Sequence, residues 1–156
     1  MAKDILDIAV YLKKLYETIY DNEGEESDLT EMKLHKLLYF AQKRHYANFG
    51  EWLFNDDFEG WVHGPVNKKV RRNFHLENDG QELTLDEKYT IREIVYEYGK
   101  YSAGVLRNLS HQDSCYKKSR FGLSEYDLGC NIIYKVDIVD DILIDEENFS
   151  YESEME

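Results

Sequence analysis

Five histidines, two cysteines and a close-set group of acids are the residues of this chain whose types could do chemistry. A metal needs ligands whose spacing brings them to one point. His35 and His45 are ten residues apart, about 280° around a helix at roughly 100° per residue, so they cannot share an ion from one face. His63, His75 and His111 keep no ligand spacing with Cys115 or Cys130. Cys115 follows His111 by four residues, but the pair straddles an expected helix end and brings no third partner to orient a base. Asp56, Asp57 and Glu59 cluster beside a turn, where acids are ordinarily just solvated. The chain has no G-x-S-x-G elbow, Walker loop or dinucleotide fingerprint. These observations predict no enzyme, no metal and no cofactor, and His45, on an apolar helical arc, reads as a core histidine.

Binding chemistry has a better candidate. Trp61-Val62-His63-Gly64-Pro65-Val66 holds the only proline of the chain. Proline sets φ near about −65° and glycine allows conformations other residues resist, so this turn is stiff and loses little entropy on binding. Trp61 and His63 flank it, and tryptophan is enriched at interface hot spots. A helix from about Val66 to Phe74 is expected next, with Pro65 in its first turn. It carries Lys68, Lys69, Arg71 and Arg72, cations that suit an acidic partner or this chain's own acidic end. The candidate partner-binding residues are therefore Trp61, His63, Gly64, Pro65, Lys68, Arg71 and Arg72. Two plainer readings stay open: Trp61 as core with Gly64-Pro65 merely starting a helix, and the cations as a solvated face.

The elements that must position this turn begin with a helix before it. On a wheel for 33–49, Leu34, Leu37, Leu38, Ala41, His45 and Phe49 fill one arc and Met32, Tyr39 and Tyr46 a second. Lys33, Lys36, Lys43 and Arg44 lie between them, with Phe40. Two apolar stripes predict a central helix packed on both flanks, with Leu37 and Leu38 buried and a narrow basic edge in water. Asp28, three residues before Glu31, reads as its capping box, and Gly50 as its left-handed end. Upstream, Ile5, Ile8, Ala9, Leu12, Leu15, Tyr16 and Ile19 predict an amphipathic helix, followed by a polar loop over 21–27. Downstream, residues 53–62 read as a small hairpin or two bends, and 77–80 as a turn. Thr84 and Glu87 form a capping box for helices at about 85–100 and 102–110. Asp113 caps a short turn through Arg120, and 121–131 is loop-like. Residues 132–144 are apolar and stay ambiguous between strand and helix.

Length and charge set outer bounds. The 156 residues make about one domain, and 42% apolar residues with 14% aromatics suffice for a core. The expected fold is mainly α, a compact single helical domain over 1–144 with an acidic, mobile tail over 145–156. Helix should cover about half of the residues, above the ordinary third. The net charge of −13 is uneven: −5 over residues 1–30, +3 over 31–75 and −11 over 76–156. That field opposes nonspecific nucleic-acid binding unless the basic middle is presented alone. The two cysteines without a CxxC read as free thiols in a reducing cytosol. No apolar run reaches membrane-helix length, and no signal peptide is evident, so a cytoplasmic location in a bacterial or phage-infected cell is expected.

Residues Lys33 to Gln42, then Leu53-Phe54, then Phe58 to Val66 together resemble the Panacea antitoxin-domain family. These are SocA-like proteins, often carried by phages or prophages. The resemblance continues at Leu106, Leu109, Ser110 and His111 and covers about residues 5–120. It departs where the family has proline-tryptophan after Ser-His, since Ser114, Cys115 and Tyr116 follow here. Lys68 and Lys69 also replace more apolar residues. The resemblance implies a mainly helical antitoxin that neutralises a cognate toxin protein by binding it, with the toxin's identity not carried over. Two alternatives remain. One is a phage anti-defence or host-takeover protein whose acids imitate nucleic acid. The other is an adaptor that hands a partner to a protease. Nine acids in the last twenty residues favour a tail over a mimic.

Overall fold

The computed structural model describes residues 2–20, 28–75 and 80–155, with side chains through residue 147. The loop expected over 21–27, and residues 77–79 of the expected turn, lie outside these. Helix α1 (Ile5–Ile19) forms as its spacing predicts. Asp4 accepts the Leu6 amide at its start, and Ile5, Ile8, Ala9, Leu12 and Tyr16 are buried. Helix α2 (Glu31–Phe49) ends at Gly50, which adopts φ 68°. Next come β1 (Phe58–Trp61), β2 (Gly64–Val66), α3 (Lys68–Arg72), α4 (Leu85–Tyr98), α5 (Ala103–His111) and α6 (Ser114–Ser119). β3 (Ile132–Ile133) and α7 (Lys135–Met155) complete the described chain. The three strands form one antiparallel sheet in the order β2-β1-β3, with Phe58 opposite Ile133 and Gly60 opposite Pro65. The fold is mainly helical, with α2 touching α1, α4, α5, α7 and β2.

α2 is more deeply enclosed than two apolar stripes require. Leu34, Leu37, Leu38, Tyr39 and Ala41 are fully buried, as the wheel predicts for both flanks. Lys33 and Lys36, expected on a basic edge in water, are buried as well, at 5% and 1% exposure. The wheel cannot show this, because the cover comes from α1, α5 and the hairpin. Lys33 has its needs met inside: its Nζ donates to Tyr16 Oη and to the Gly99 carbonyl, both at 2.7 Å. The second arc is also uneven, since Tyr39 is buried while Met32 is exposed.

Polar side chains on α2 fix the segments around it. The Gln42 amide donates to the Phe54 carbonyl at 2.8 Å and accepts the Leu53 amide at 2.9 Å, replacing a strand that residues 53–54 do not have. His45 Nδ1 lies 2.7 Å from the Thr90 hydroxyl, which itself donates to the Asp86 carbonyl. Nδ1 therefore carries the proton and donates, which makes His45 the satisfied core histidine expected. Arg44 pairs with Glu93 and Glu97, tying α2 to α4.

Several local expectations are corrected. The cap of α2 is Thr30, which accepts the Lys33 amide, while Asp28 instead accepts the Tyr16 hydroxyl at 2.5 Å. The hairpin expected near 53–62 lies at 58–66, so Pro65 sits in a strand rather than in a helix's first turn. β2 is an edge strand, the place in a sheet where a missing N–H is tolerated. α3 starts later, at Lys68, with Asn67 capping Val70. The Thr84–Glu87 box is present as expected. Asp113 stands at the start of α6 but makes no cap bond, because its carboxylate accepts from Tyr39 and Lys43. The ambiguous stretch 132–144 is strand for two residues and helix from Lys135 onward.

Leu38→Ala should cost about 2–5 kcal/mol in chemical denaturation, as a fully enclosed leucine does. Gln42→Leu should cost roughly 1–3 kcal/mol by leaving the Leu53 and Phe54 peptide groups unbonded. Losses well under about 1 kcal/mol for both would mean that α2 does not organise the core.

Candidate functional site

The hairpin β1–β2 turns over Val62 and His63, with Trp61 opposite Gly64. Two glycines let it sit where it does. A Cβ on Gly60 would fall 1.8 Å from Ser119 Oγ. Gly64 has φ 121°, and a Cβ there would lie 3.2 Å from Lys36 Cε and 3.3 Å from Ser110 Oγ. Gly64 thus meets both the backbone demand and a close approach to α2 and α5.

The hairpin is held from several sides. Tyr116 Oη donates to the Trp61 carbonyl at 2.6 Å, and the His111 ring stacks on the Tyr116 ring at 4.4 Å. Arg120 donates to the Gly60, Ser124, Asp127 and Leu128 carbonyls, locking the loop after α6 against β1. On the α2 side, His35 is buried and its Nδ1 accepts the Asn67 amide at 3.2 Å. Nε2 therefore carries the ring proton and donates to Glu31 at 3.1 Å. Glu31 also binds Arg71 at 3.0 Å.

Around this frame the sequence-predicted site residues fall into two groups. Trp61 is half-buried; its indole N–H donates to Glu59 at 3.0 Å, and the Arg71 guanidinium lies 5.1 Å from its ring. Lys68 pairs with Glu59 at 3.5 Å. Trp61, Lys68 and Arg71 are thus one array, and Pro65 and Gly64 are buried beneath it. His63 is exposed at the hairpin tip. Arg72 is exposed and has no ion pair among the described residues. Lys69 binds Asp4 and Asp56, so three of the four cations of α3 meet this chain's own acids. Those acids come from α1's cap, α2 and the hairpin region, not from the C-terminal end.

The other residues of chemical interest are committed locally. Asp56 accepts the first amide of α1, and Asp57 binds Lys135. His111 does not pair with Cys115, whose sulfur lies 3.0 Å from the Tyr39 hydroxyl. Asp113, Cys115 and Asp141 bring potential ligand atoms within 4.8 Å of one another. Their chemistry is that of a hydrogen-bonded network. Burial pushes the Cys115 thiol far up, Asp113 already accepts from Tyr39 and Lys43, and Asp141 accepts the Cys115 amide.

Sequence reasoning missed a third group. Lys36 is buried under Gly64, and Arg107 and His111 of α5 stand near it. Burial, with Arg107 adding repulsion, pushes Lys36 down to about 8. Burial, then Arg107, Lys36, His63 and Arg120, pushes His111 down to about 4. The available signal was a lysine inside an otherwise apolar helical block, at Lys36-Leu37-Leu38, which the wheel assigned to water.

A family model described as "Antitoxin SocA-like, Panacea domain" matches residues 34–117. That span runs from the first turn of α2, through the hairpin, into α6. No curated protein and no solved structure matches the chain.

The histidines give a pH prediction. His35, His45 and His111 are all held below the ordinary imidazole value, in each case first by burial. Their folded pKa lies below an unfolded value of about 6.5, so protonation favours the unfolded chain. The stability they contribute is full above about pH 6.5 and is lost as the pH falls toward 4. The melting temperature should drop steadily over that window, and a flat profile would show that these rings are not buried neutral.

Proposed function

The chain belongs to the SocA-like antitoxins of the Panacea domain, and from that premise we propose that the hairpin tip and the exposed cations beside it are its toxin-binding surface. As a member of that family it is an antitoxin, neutralising a toxin by protein binding rather than by catalysis. What supports the assignment of the surface is the way the hairpin is built. A two-residue tip is fixed by Gly60, Gly64, the Tyr116 bond and the His35–Asn67 bond, yet it leaves His63 in water. A stiff exposed turn beside a half-buried tryptophan is the form an interface anchor takes. Trp61, Gly64 and Pro65 shape the surface, Lys68 and Arg71 frame the tryptophan, and His63 and Arg72 are the groups left for a partner. The surface suits an acidic patch on the toxin.

No helix among the described residues is long and apolar enough to cross a membrane. Cys115 and Cys130 are free thiols, which suits the cytoplasm of a bacterial or phage-infected cell. Residues 1–144 form the binding domain, and 145–156 are an acidic extension. The Lys43–Asp145 pair is 3.0 Å long, but Asp145 is 64% exposed, and such pairs contribute about 0–1 kcal/mol.

In toxin co-expression, His63→Ala and Arg72→Glu should weaken neutralisation while the melting temperature stays put. Arg71→Glu should lower both, because it sets a carboxylate against Glu31 and uncovers Trp61. Full rescue by stable His63 and Arg72 variants would remove this surface from consideration without touching family membership. Truncation after Ile144 should leave the melting temperature nearly unchanged; a large drop would make the extension part of the fold.

A further inference from the structure

Lys36 is buried in a way that Lys33 is not. Lys33 has a phenol and a carbonyl at 2.7 Å, whereas among the described residues Lys36 Nζ donates only to the Met32 carbonyl of its own helix, at 3.3 Å. Nearby, Arg107 Nε and His111 Nε2 are buried with no hydrogen-bond partner among the described residues. No ion pair among the described residues includes Lys36 or Arg107. The charges acting on His111 are all positive, from Arg107, Lys36, His63 and Arg120. Buried donors are ordinarily bonded, and buried cations are ordinarily paired. Three nitrogen groups gathered without an anion therefore call for one from outside. The Nε and Nε2 atoms themselves are enclosed, but Arg107 and His111 are half-buried residues whose other atoms reach the surface, and exposed His63 adds its field there.

We propose that Lys36, Arg107 and His111 form an anion pocket beneath the hairpin tip, and that its occupant is a carboxylate side chain of the toxin. The inference rests on the hairpin being the toxin-facing surface. A carboxylate has two oxygens and about four acceptor sites, enough for a guanidinium, an ammonium and an imidazole N–H together. A dianion such as phosphate is opposed more strongly by the chain's net charge of −13, and the partner of this family is a protein. Gly64 belongs to the pocket's roof, since any side chain there would press on Lys36 and Ser110. Empty, the pocket weakens the fold; occupied, it satisfies donors that nothing else among the described residues reaches.

The pocket can be read without any toxin. Sodium acetate and inorganic phosphate are titrated into the full chain at ionic strength matched with sodium chloride, following the His111 ring by NMR. Acetate should give a saturable shift and raise the His111 pKa, because a bound anion stabilises imidazolium. Arg107→Gln should weaken that response at least tenfold. Lys36→Met removes an unpaired buried cation, so its melting temperature should equal or exceed the wild type's while neutralisation in co-expression falls at least tenfold. A merely structural lysine would give the reverse, with neutralisation failing only as stability fails. Should Lys36→Met not fold, Arg107→Gln, at a half-buried position, carries the same comparison. No saturable response to acetate overturns the pocket, and a response to phosphate alone overturns the carboxylate. Wild-type neutralisation by stable Lys36 and Arg107 variants overturns the toxin as its source. None of these outcomes bears on the His63 and Arg72 test, which reads the surface itself.

Discussion

From Lys33 to Gln42, helix α2 has no wet face, and every residue in that run is buried. A helix satisfies its own backbone, but it does nothing for polar side chains enclosed with it. Each of these must find a partner on another element, and each partner found is a docking point. Lys33 reaches Tyr16 of α1 and the carbonyl that follows α4; His35 reaches Asn67; Tyr39 reaches Asp113; Gln42 reaches 53–54. The apolar contacts give cohesion without direction, and the polar contacts set the register of each neighbour. The tertiary fold is in this sense the set of solutions to the hydrogen-bonding needs of one enclosed helix.

The hairpin inherits its rigidity from that helix. Its base is fixed through His35 and Asn67, its turn lies against Lys36, and its far side is closed by Tyr116 and Arg120. α3 follows under similar restraint, since Lys68, Lys69 and Arg71 are tied to acids from other parts of the chain. Little motion is left to lose when a partner docks, which is what an inhibitor acting by stoichiometric contact requires. Among the described residues, the exception to this internal satisfaction is the cluster of Lys36, Arg107 and His111, where donors are enclosed and left over. A molecule that elsewhere bonds its buried groups so fully stores stability cost where a ligand can relieve it.

The periodic and capped parts were legible in the sequence. α1, the Thr84–Glu87 start of α4 and the Gly50 end of α2 depend on side chains within a turn or two of each other, so local spacing determines them. The burial of Leu37 and Leu38 also followed, because two apolar arcs on one helix demand cover on both sides. The lysine block joined to the W-x-x-G-P-V turn was specific enough to point to the family whose model matches residues 34–117. Tertiary structure decided the rest. A wheel describes one helix and not what lies opposite it, so Lys33 and Lys36 were assigned to water and the cluster with Arg107 and His111 was invisible. Pro65 satisfies both a helix's first turn and an edge strand, and only pairing with Gly60 chose the strand. Ile132 and Ile133 became strand because β1 offered an unpaired edge, and the chain turned helical once that edge was used. Asp28 and Asp113 could each have capped a helix, but the Tyr16 and Tyr39 hydroxyls, brought from distant parts of the chain, claimed them instead. Short-range order is written in spacing, whereas the choice between equally good local partners is made by whatever the fold carries into reach.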